Sequence, residues 1–409
     1  MTNSIRNNIS LFRSLWHTKE GLYILFLTLV WGSGILRFLK FIVAHNSVTE
    51  FLEPYFHVLL LLLFSVIIIK QIMSHLQSRD LFFCIICLIV FFSYFLLYPS
   101  NIDALMQYIY VFPIFTLPFF LWGIQMDIEN LDTYFKPISY LNILLYFVYS
   151  LFYLQRKFPP GTLDGEYYMR EAYVVLPYII YAIWCALREH SILDILISLL
   201  GIFLLFSYGT RGPIVCLIAF IMLYVILIAK SKYKLPLVVG MIACVGIVAM
   251  NVDAILSFFI ELMPKIGMSN RVFMSMADNA FINYENSSNR DIIIEQLWGA
   301  LKVSEPFGYG LCGSWNICGG YAHNFILDIL ISFGIPIGSI FILATLLLFL
   351  KGFLSCSSDN EKGFFLILIC SGFLKLFISN FFLRESLFWL LIGYCIFLIR
   401  KQRALKKDD

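Results

Sequence analysis

Long apolar runs recur along the whole chain, and they constrain its fold more than any other feature of the sequence. Many of them are about 18 residues or longer, enough for a helix to cross a hydrocarbon core roughly 30 Å thick. Of the 409 residues, 60% are hydrophobic and only 13% are charged, too little polar surface for a water-soluble chain of this length. Because an open sheet leaves backbone groups unpaired in lipid, the sequence predicts an all-α polytopic membrane protein.

The apolar runs predict about twelve transmembrane spans in a single integral membrane domain, residues 1–409. The predicted spans are residues 21–43, 56–74, 80–98, 104–125, 137–155, 172–188, 191–208, 212–230, 235–256, 324–350, 363–380 and 385–400. Basic residues accumulate on the cytoplasmic side of a membrane and so decide the orientation. With the amino terminus inside, the inner segments carry 17 Lys and Arg residues and the outer segments carry nine. Both termini are therefore predicted to be cytoplasmic.

The predicted outer loops differ in length. Residues 257–322 form one loop of 66 residues between spans 9 and 10, whereas residues 155–170 form a shorter loop rich in charged and aromatic residues. Loops longer than about 15 residues are usually functional or disordered. The long loop carries Met, Phe, Ile and Trp at helical spacing, so we expect it to fold against the membrane surface.

Two cysteines, Cys312 and Cys318, lie in the long loop on the predicted outer face. Thiols on an oxidising side of the membrane can persist as a disulfide, which would brace the loop shortly before His323. Two free thiols explain the sequence equally well. The long loop also contains acidic residues, but no close Asp-x-Asp pair and no His or Cys cluster of the kind that binds a metal.

Arg211 lies between two predicted spans in the sequence FSYGTRGPIVC. Gly209, Gly212 and Pro213 favour a tight turn that would fix the guanidinium at the membrane boundary. A snorkelling anchor is the simpler interpretation, but an anchor needs no turn around it. The pattern therefore favours a positioned cation on the outer face.

Arg290 lies inside the long loop in the sequence NSSNRDIIIEQLWGALK. Ser288 and Asp291 resemble a capping box, and periodic apolar residues follow, so Arg290 is predicted to lie in the first turn of a helix. A cation there opposes the helix dipole and is a poor choice for stability alone. It suits an anion site, where backbone N–H groups and a guanidinium converge on phosphate. A solvated loop arginine is the simpler alternative.

The sequence GGYAHNFILDILISFG places His323 and Asn324 directly before the tenth predicted span. A second Ala-His-Asn, at Ala44–Asn46, has no glycine turn beside it and no arginine in its loop. An imidazole that titrates near neutral pH at a membrane mouth suits proton transfer to or from a hydroxyl group. Asn324 would either orient a substrate or cap the span that follows.

These elements follow one another in order along the second half of the chain. They are Thr210-Arg211-Gly212, Ser288-Asn289-Arg290, Trp298 to Leu301, Pro306 to Gly310, and His323 to Gly334. The ordered set resembles the superfamily of O-antigen polymerases and O-antigen ligases, whereas the first half of the chain matches it only as a stack of spans. The weak motifs in a very apolar, Phe-rich chain favour a polymerase within that superfamily.

The resemblance implies a GT-C-like helical fold and metal-independent glycosyl transfer at the periplasmic face of the bacterial inner membrane. The substrate would be an oligosaccharide on undecaprenyl diphosphate, with no cofactor and no nucleic acid. Membrane lipid is a further partner, and a chain-length regulator protein is a candidate partner. His323 would deprotonate a sugar hydroxyl, while Arg211 and Arg290 would hold the departing diphosphate. Candidates for substrate binding are Asn324, Tyr321, Arg170, Glu166, Glu171 and Arg384.

Two alternatives stay open from the sequence. An O-antigen ligase, which passes finished polymer to lipid A-core, would have the same motifs. A transporter or flippase of lipid-linked oligosaccharide also fits twelve spans with both ends inside, although such proteins usually have repeated halves, discontinuous helices and charge at mid-membrane. One dominant outer loop and an outer cluster of Arg and His make transport the weaker interpretation.

Overall fold

The structure is a computed structural model that describes residues 77–151, 169–208, 210–230, 232, 234–236, 238–240, 252–265, 273–274, 290–303 and 306–408. Within these residues the secondary structure is helical, with no β-strand. The helical class predicted from the apolar runs is therefore confirmed for this part of the chain. The predicted spans 21–43 and 56–74 lie outside it.

The helices are numbered in chain order. The α-helices of the described residues are α1 (Ser78–Leu97), α2 (Ile102–Met106), α3 (Leu117–Gly123), α4 (Ile128–Tyr149), α5 (Met169–Glu189), α6 (Ile192–Ser207), α7 (Arg211–Leu227), α8 (Val252–Lys265), α9 (Arg290–Val303), α10 (Gly313–Cys318), α11 (Phe325–Leu354), α12 (Asp359–Leu368) and α13 (Ser386–Asp408). Short π-helical segments occupy Val111–Thr116 and Ile369–Phe373, and 3-10 turns occupy Pro99–Asn101 and Leu374–Phe377.

Three of the described helices, α1, α5 and α11, are long and apolar enough to cross a membrane. A fourth span results if Pro99–Met106 and Val111–Gly123, which meet at 57°, are counted as one bent span. The outward side of α1 includes Phe82 and Leu96, which are 63% and 85% exposed. Large apolar side chains exposed in such a continuous row are suited to lipid rather than water. The chain is a membrane-embedded helical protein.

The chain divides into two compact units, and unit 1 (residues 1–71 and 127–283) includes α4 to α8. Within it, α5 packs against α4 and α6. Lys136 of α4 lies 3.0 Å from the buried carboxylate of Asp194 in α6, and the hydroxyl of Tyr140 donates to the same carboxylate at 2.7 Å. A buried carboxylate is costly unless it is paired in this way, so the network fixes α4 to α6.

Unit 2 (residues 72–126 and 284–409) is organised around the crossing of α3 and α13. Gly123 and Gly393 lie at the crossing, where a Cβ on either would overlap the backbone of the other helix. Small residues allow membrane helices to approach backbone to backbone in this way. α11 and α12 pack against α13 as well, so α13 is the central helix of the unit.

Ion pairs close one end of unit 2. Arg400 donates two hydrogen bonds to Asp80, at 2.9 and 2.5 Å, and Lys401 lies 2.8 Å from Glu361. Both carboxylates are buried. These four residues join α1, α12 and α13, and together they form the ion-pair end.

At the other end of unit 2, α1 stops at Leu97 and α11 and α13 begin. Asn101, just beyond α1, donates to the carbonyls of Tyr309 at 2.7 Å and Leu311 at 2.9 Å. From Ser386 at the start of α13 to the ion-pair end is about 21 Å along the helix. The candidate site lies at this second end.

α11 is broken at Gly334, where φ is 75° and ψ is 167°, a conformation available almost only to glycine. The turn Pro306–Gly310 fits into the break: the N–H of Tyr309 donates to the carbonyl of Ile331 at 2.7 Å. A side chain at position 334 would overlap the carbonyl of Pro306. The carbonyl freed by the break is therefore satisfied within the protein, and two of the sequence elements form one interlocked piece.

One helix, α8, runs across a predicted boundary between span and loop. The ninth span was predicted to end at residue 256, where the long loop would begin, but α8 runs without interruption from Val252 to Lys265. Apolar residues at helical spacing continue past the predicted boundary, and Leu256 and Met263 are buried together with Phe273. Residue 257 therefore lies inside one amphipathic helix.

Candidate functional site

Five side chains define the imidazole end of unit 2: Arg290, Trp315, Tyr321, His323 and Arg384. Arg290 begins α9, Trp315 lies in α10, Tyr321 and His323 precede α11, and Arg384 precedes α13. Elements separated by up to about a hundred residues therefore contribute to one end of a single unit.

α9 is held in place by its apolar face. Leu297 and Leu301, one turn apart, are buried against Leu327 of α11. The helix begins at Arg290, so the prediction that this residue lies in the first turn of a helix is confirmed. The proposed cap residue Ser288 lies outside the described residues.

His323 has a backbone φ of 51°, in the left-handed region that few residues other than glycine adopt. This conformation costs roughly 1–2 kcal/mol, so surrounding contacts must hold it. The backbone carbonyl of Ile378 accepts a hydrogen bond from the imidazole. The other ring nitrogen, Nδ1, is buried and has no hydrogen-bond partner among the described residues. A neutral imidazole that donates from one nitrogen carries a lone pair on the other, so Nδ1 can accept a proton.

The pKa of His323 is lowered to about 4, first by burial of the imidazole and second by the positive charge of Arg290. The hydrogen bond to Ile378 acts in the opposite direction. The expectation of an imidazole that titrates near neutral pH is therefore wrong for the protein alone, because desolvation and a neighbouring cation both disfavour the protonated form. The imidazole is neutral at pH 7, as a proton acceptor must be.

An aromatic surface adjoins His323. The ring of Tyr321 lies 4.1 Å from the imidazole, and the ring of Trp315 lies 5.9 Å from that of Tyr321, measured between centroids. Phe381 and Tyr108 extend the surface, at 5.0 and 5.8 Å from Trp315. Aromatic walls with a few placed polar groups are typical of small-molecule sites.

Residues 378–385, which contribute the carbonyl beside the imidazole, are fixed from two sides. The buried carboxylate of Glu385 lies 2.5 Å from Nζ of Lys375. The hydroxyl of Tyr321 donates to the carbonyl of Ser379 at 3.4 Å. The segment is therefore tied both to the end of the preceding helical turn and to the aromatic surface.

Arg384 is exposed, and its charge acts on the hydroxyl of Tyr108. Neither Arg290 nor Arg384 forms an ion pair with another of the described residues. Guanidinium groups without a carboxylate partner are suited to bind phosphate, since their planar fork matches two of its oxygens. The imidazole end thus carries two guanidinium groups that form no ion pair with the described residues.

Asn324 caps α11. Its Oδ1 accepts hydrogen bonds from the N–H groups of Ile326 at 3.0 Å and Leu327 at 3.2 Å. Of the two roles expected from the sequence, the cap is therefore the one that the structure shows. The orientation of a substrate by Asn324 stays a prediction.

Cys312 and Cys318 are free thiols in the structure. The Sγ of Cys318 donates to the carbonyl of Ser314 at 3.1 Å, and burial raises the pKa of both thiols. Of the two alternatives left open by the sequence, the structure therefore has the unbridged one.

Arg211, the third candidate catalytic residue, belongs to unit 1. α7 begins at this residue, so Gly212 and Pro213 lie in the first helical turn rather than in a separate tight turn. The difference arises because proline is well tolerated in the first turn, where its missing N–H has no intrahelical partner. The meeting of Arg211 with the imidazole end stays a prediction.

Two candidate substrate-binding residues, Arg170 and Glu171, also lie in unit 1, in the first turn of α5. α5 packs against α7, which places this turn on the same unit as Arg211. Glu166 lies outside the described residues.

Four parts of the site were not expected from the sequence: Tyr108, Trp315, Phe381 and the carbonyl of Ile378. Tyr108 was assigned to a span, and its role depends on the bend between Met106 and Val111. The role of Trp315 could have been predicted, since it is an aromatic residue among turn formers in the long loop. A backbone carbonyl carries no sequence signal at all.

Comparison with known proteins identifies no relative of the chain. The chain matches no family model, no curated protein and no solved structure. Within the part of the chain that is described, no group of three or more His, Cys, Asp or Glu residues could hold a metal ion. The chemistry of the site is therefore inferred from its side chains alone.

Proposed function

We propose that the protein is an O-antigen polymerase, which joins oligosaccharide repeat units carried on undecaprenyl diphosphate. The reaction would take place at the periplasmic face of the bacterial inner membrane, during lipopolysaccharide biosynthesis. The resemblance of the ordered sequence elements to that superfamily supports the proposal. So does the assembly of three of those elements, around Arg290, Pro306 and His323, within one unit.

The observation that carries the proposal is the imidazole of His323, whose buried Nδ1 has no hydrogen-bond partner among the described residues, beside the charge of Arg290 and the ring of Tyr321. Transfer of a sugar from a lipid diphosphate needs a proton acceptor for the incoming hydroxyl and a cation for the leaving group. It also needs a surface that orients the reacting sugars. The imidazole end offers a candidate for each requirement.

In the proposed step, a hydroxyl oxygen of one lipid-linked glycan attacks the anomeric carbon of a second glycan. The new bond forms between that oxygen and the carbon, while the bond from the carbon to the diphosphate oxygen breaks and its electron pair leaves with the diphosphate. The hydroxyl proton passes to Nδ1 of His323, which later releases it to water. The products are a longer lipid-linked glycan and free undecaprenyl diphosphate.

Arg290 is the candidate with the best support for holding the leaving diphosphate, because its charge already acts on the imidazole. Arg384 would bind phosphate oxygens near Tyr108, on whose hydroxyl its charge acts. Arg211 is proposed, from the resemblance of the sequence elements, to be a third cation for the diphosphate. Cations fixed where negative charge develops stabilise the transition state more than the ground state.

Substrate binding would also strengthen the base. In the protein alone, the charge of Arg290 lowers the pKa of His323. A bound diphosphate would compensate that charge and so raise the pKa toward the operating pH, where general bases are most effective. The proton acceptor would thus become competent when the donor is in place.

The proposed architecture of the enzyme goes beyond the described helices. It has twelve spans in a GT-C-like arrangement, with both termini in the cytoplasm and residues 257–322 in the periplasm. The excess of basic residues on the predicted inner side supports this orientation. The proposed partners are the lipid-linked oligosaccharide, membrane lipid and a chain-length regulator protein.

The break in α11 is an observation that favours a transporter instead, since discontinuous helices bind substrates near mid-membrane in such proteins. Gly334 lies about 14 Å along the helix from its start, close to that depth. The carbonyl of Ile331 that the break frees is, however, hydrogen-bonded by Tyr309. Because the turn 306–310 fills the break with protein, glycosyl transfer is the better supported function.

Deletion of the gene, followed by gel analysis of lipopolysaccharide, tests the proposal. A polymerase deletion leaves single repeat units on the core, and complementation by the wild-type chain but not by His323→Ala restores the polymer. Bare core with accumulated lipid-linked polymer would indicate a ligase. Bare core with lipid-linked single units trapped inside would indicate a transporter, and either result would overturn the proposal.

A further inference from the structure

Asp328, in the first turns of α11, is a buried carboxyl group that the proposed reaction does not use. It is only 2% exposed, and its Oδ1 accepts a hydrogen bond from the backbone N–H of Ala322 at 2.9 Å. Its Oδ2 is buried and has no hydrogen-bond partner among the described residues. A buried carboxyl group is costly to desolvate, so its presence requires an explanation.

The helix itself does not explain Asp328. An acidic residue near the start of a helix can stabilise free N–H groups, but Asn324 already accepts from two of them. The groups whose charges or hydrogen bonds couple to the Asp328 carboxyl are Ser314, Cys312, Cys318 and Tyr108. None of these is a cation, so Asp328 is not half of an ion pair with them.

The hydrogen bond from Ala322 to Asp328 closes a loop of the chain around His323. Ala322 immediately precedes His323, the residue whose φ is 51°. A residue other than glycine stays in the left-handed region only where its surroundings determine the backbone on both sides. Asn324 fixes the backbone after His323 by capping α11, and Asp328 fixes it before His323.

We propose that Asp328 is a positioning residue that holds His323 in its left-handed conformation, so that Nδ1 is presented to the acceptor hydroxyl. The catalytic consequence of this inference rests on the proposed function, but the positioning of His323 by Asp328 does not. The acceptor oxygen Oδ1 performs the positioning, and the negative charge is not required. Asparagine, which retains that oxygen and nearly the same shape, should therefore replace aspartate.

The first test measures joining of lipid-linked repeat units by purified protein in proteoliposomes. Asp328→Ala removes the acceptor, and we expect kcat to fall at least about tenfold with little change in KM, since substrate contacts stay in place. Asp328→Asn should stay within about threefold of wild type. Ser332→Ala, a buried residue one turn further along α11, is the matched control and should be unchanged. A folded Asp328→Asn protein as slow as Asp328→Ala would overturn the proposal.

The second test needs no substrate, so it separates failure of this inference from failure of the proposed function. The other five histidines are replaced by Gln, and the rate at which diethyl pyrocarbonate modifies His323 is followed against pH. In the Asp328→Ala protein the loop around His323 relaxes toward solvent, and we expect its pKa to rise from about 4 toward 6.5. In Asp328→Asn it should stay near the wild-type value.

An unchanged titration in Asp328→Ala would overturn the proposal even if polymerisation is lost. If Asp328→Ala does not accumulate as folded protein, Asp328→Ser takes its place, because its shorter side chain leaves the N–H of Ala322 without a partner. Thermal unfolding of each variant in detergent verifies that the compared proteins are folded.

Discussion

The two ends of unit 2 differ in how their arginines are paired. At the ion-pair end, each buried carboxylate faces a basic partner: Asp80 faces Arg400, and Glu361 faces Lys401. At the imidazole end, the buried Glu385 likewise pairs with Lys375, but Arg290 and Arg384 have no acidic partner among the described residues. One end therefore uses its charges to hold helices together, and the other also carries two guanidinium groups that an anionic ligand can pair with.

The difference separates structural charges from functional ones. Paired and buried charges contribute mainly through the cost of leaving one partner unpaired. Cations near one another, or next to an imidazole, raise the energy of the folded protein and are tolerated where binding or catalysis requires them. Substitutions at the ion-pair end should thus change stability, whereas substitutions at the imidazole end should change the reaction.

The largest effect is expected for His323→Ala. Loss of the proton acceptor should lower kcat by about 10²–10⁴-fold, while the melting temperature stays the same or falls, because alanine keeps a Cβ and so the backbone strain, and it loses the contacts of the imidazole with Ile378 and Tyr321. The measurement is the initial rate of repeat-unit joining, together with thermal unfolding. His190→Ala is the matched control: His190 also has a positive φ, of 55°, but it is exposed and lies in unit 1. Wild-type kcat in His323→Ala would remove the imidazole from the mechanism.

Arg290→Ala should have the second largest effect. Removal of one cation that stabilises a leaving group costs roughly 10²–10³-fold in kcat, and Arg290→Lys should recover part of the loss because the charge returns without the planar fork. Lys302→Ala, near the far end of the same helix and exposed, should keep wild-type activity. Equal losses in Arg290→Ala and Lys302→Ala would mean that α9 contributes only general positive charge.

Arg400→Met probes the ion-pair end. It leaves the carboxylate of Asp80 buried without its partner, and we expect the free energy of unfolding to fall by about 3 kcal/mol, with unchanged activity per folded molecule. Asp80→Leu combined with Arg400→Met should recover most of that stability. Thermal unfolding in detergent measures both. A loss of kcat without a loss of stability in Arg400→Met would contradict the proposed division of roles.

The smallest effect is a shift in pH dependence. The acid limb of kcat/KM reports the free protein and should lie near pH 4, the pKa of His323. Arg290→Gln removes a charge that lowers this pKa, so the limb should move upward. Because the unfolded imidazole binds a proton at a higher pH than the folded one, this group reduces stability as the pH falls from about 6.5 to about 4. An acid limb that stays in place in Arg290→Gln would contradict the coupling.

Local features of the site could be predicted from the sequence, because they depend on neighbours within one turn. The helix that begins at Arg290 and the cap at Asn324 follow from such local patterns. The contact of Asn101 with Tyr309 joins residues 208 positions apart, and no periodicity reports a contact of that kind. The lowered pKa of His323 was missed for the same reason, since burial depends on which segments pack around it.

The clamped break in α11 has a mechanical consequence. The stretch from Phe325 to Gly334 is a short rod of about 14 Å, and the turn 306–310 fastens its far end to the loop. The longer remainder of the helix leaves this joint in a different direction, and the packed turn leaves no space for the joint to flex. A change in bilayer thickness would therefore move the long rod and the loop together, so the reacting groups keep their spacing when the lipid composition changes.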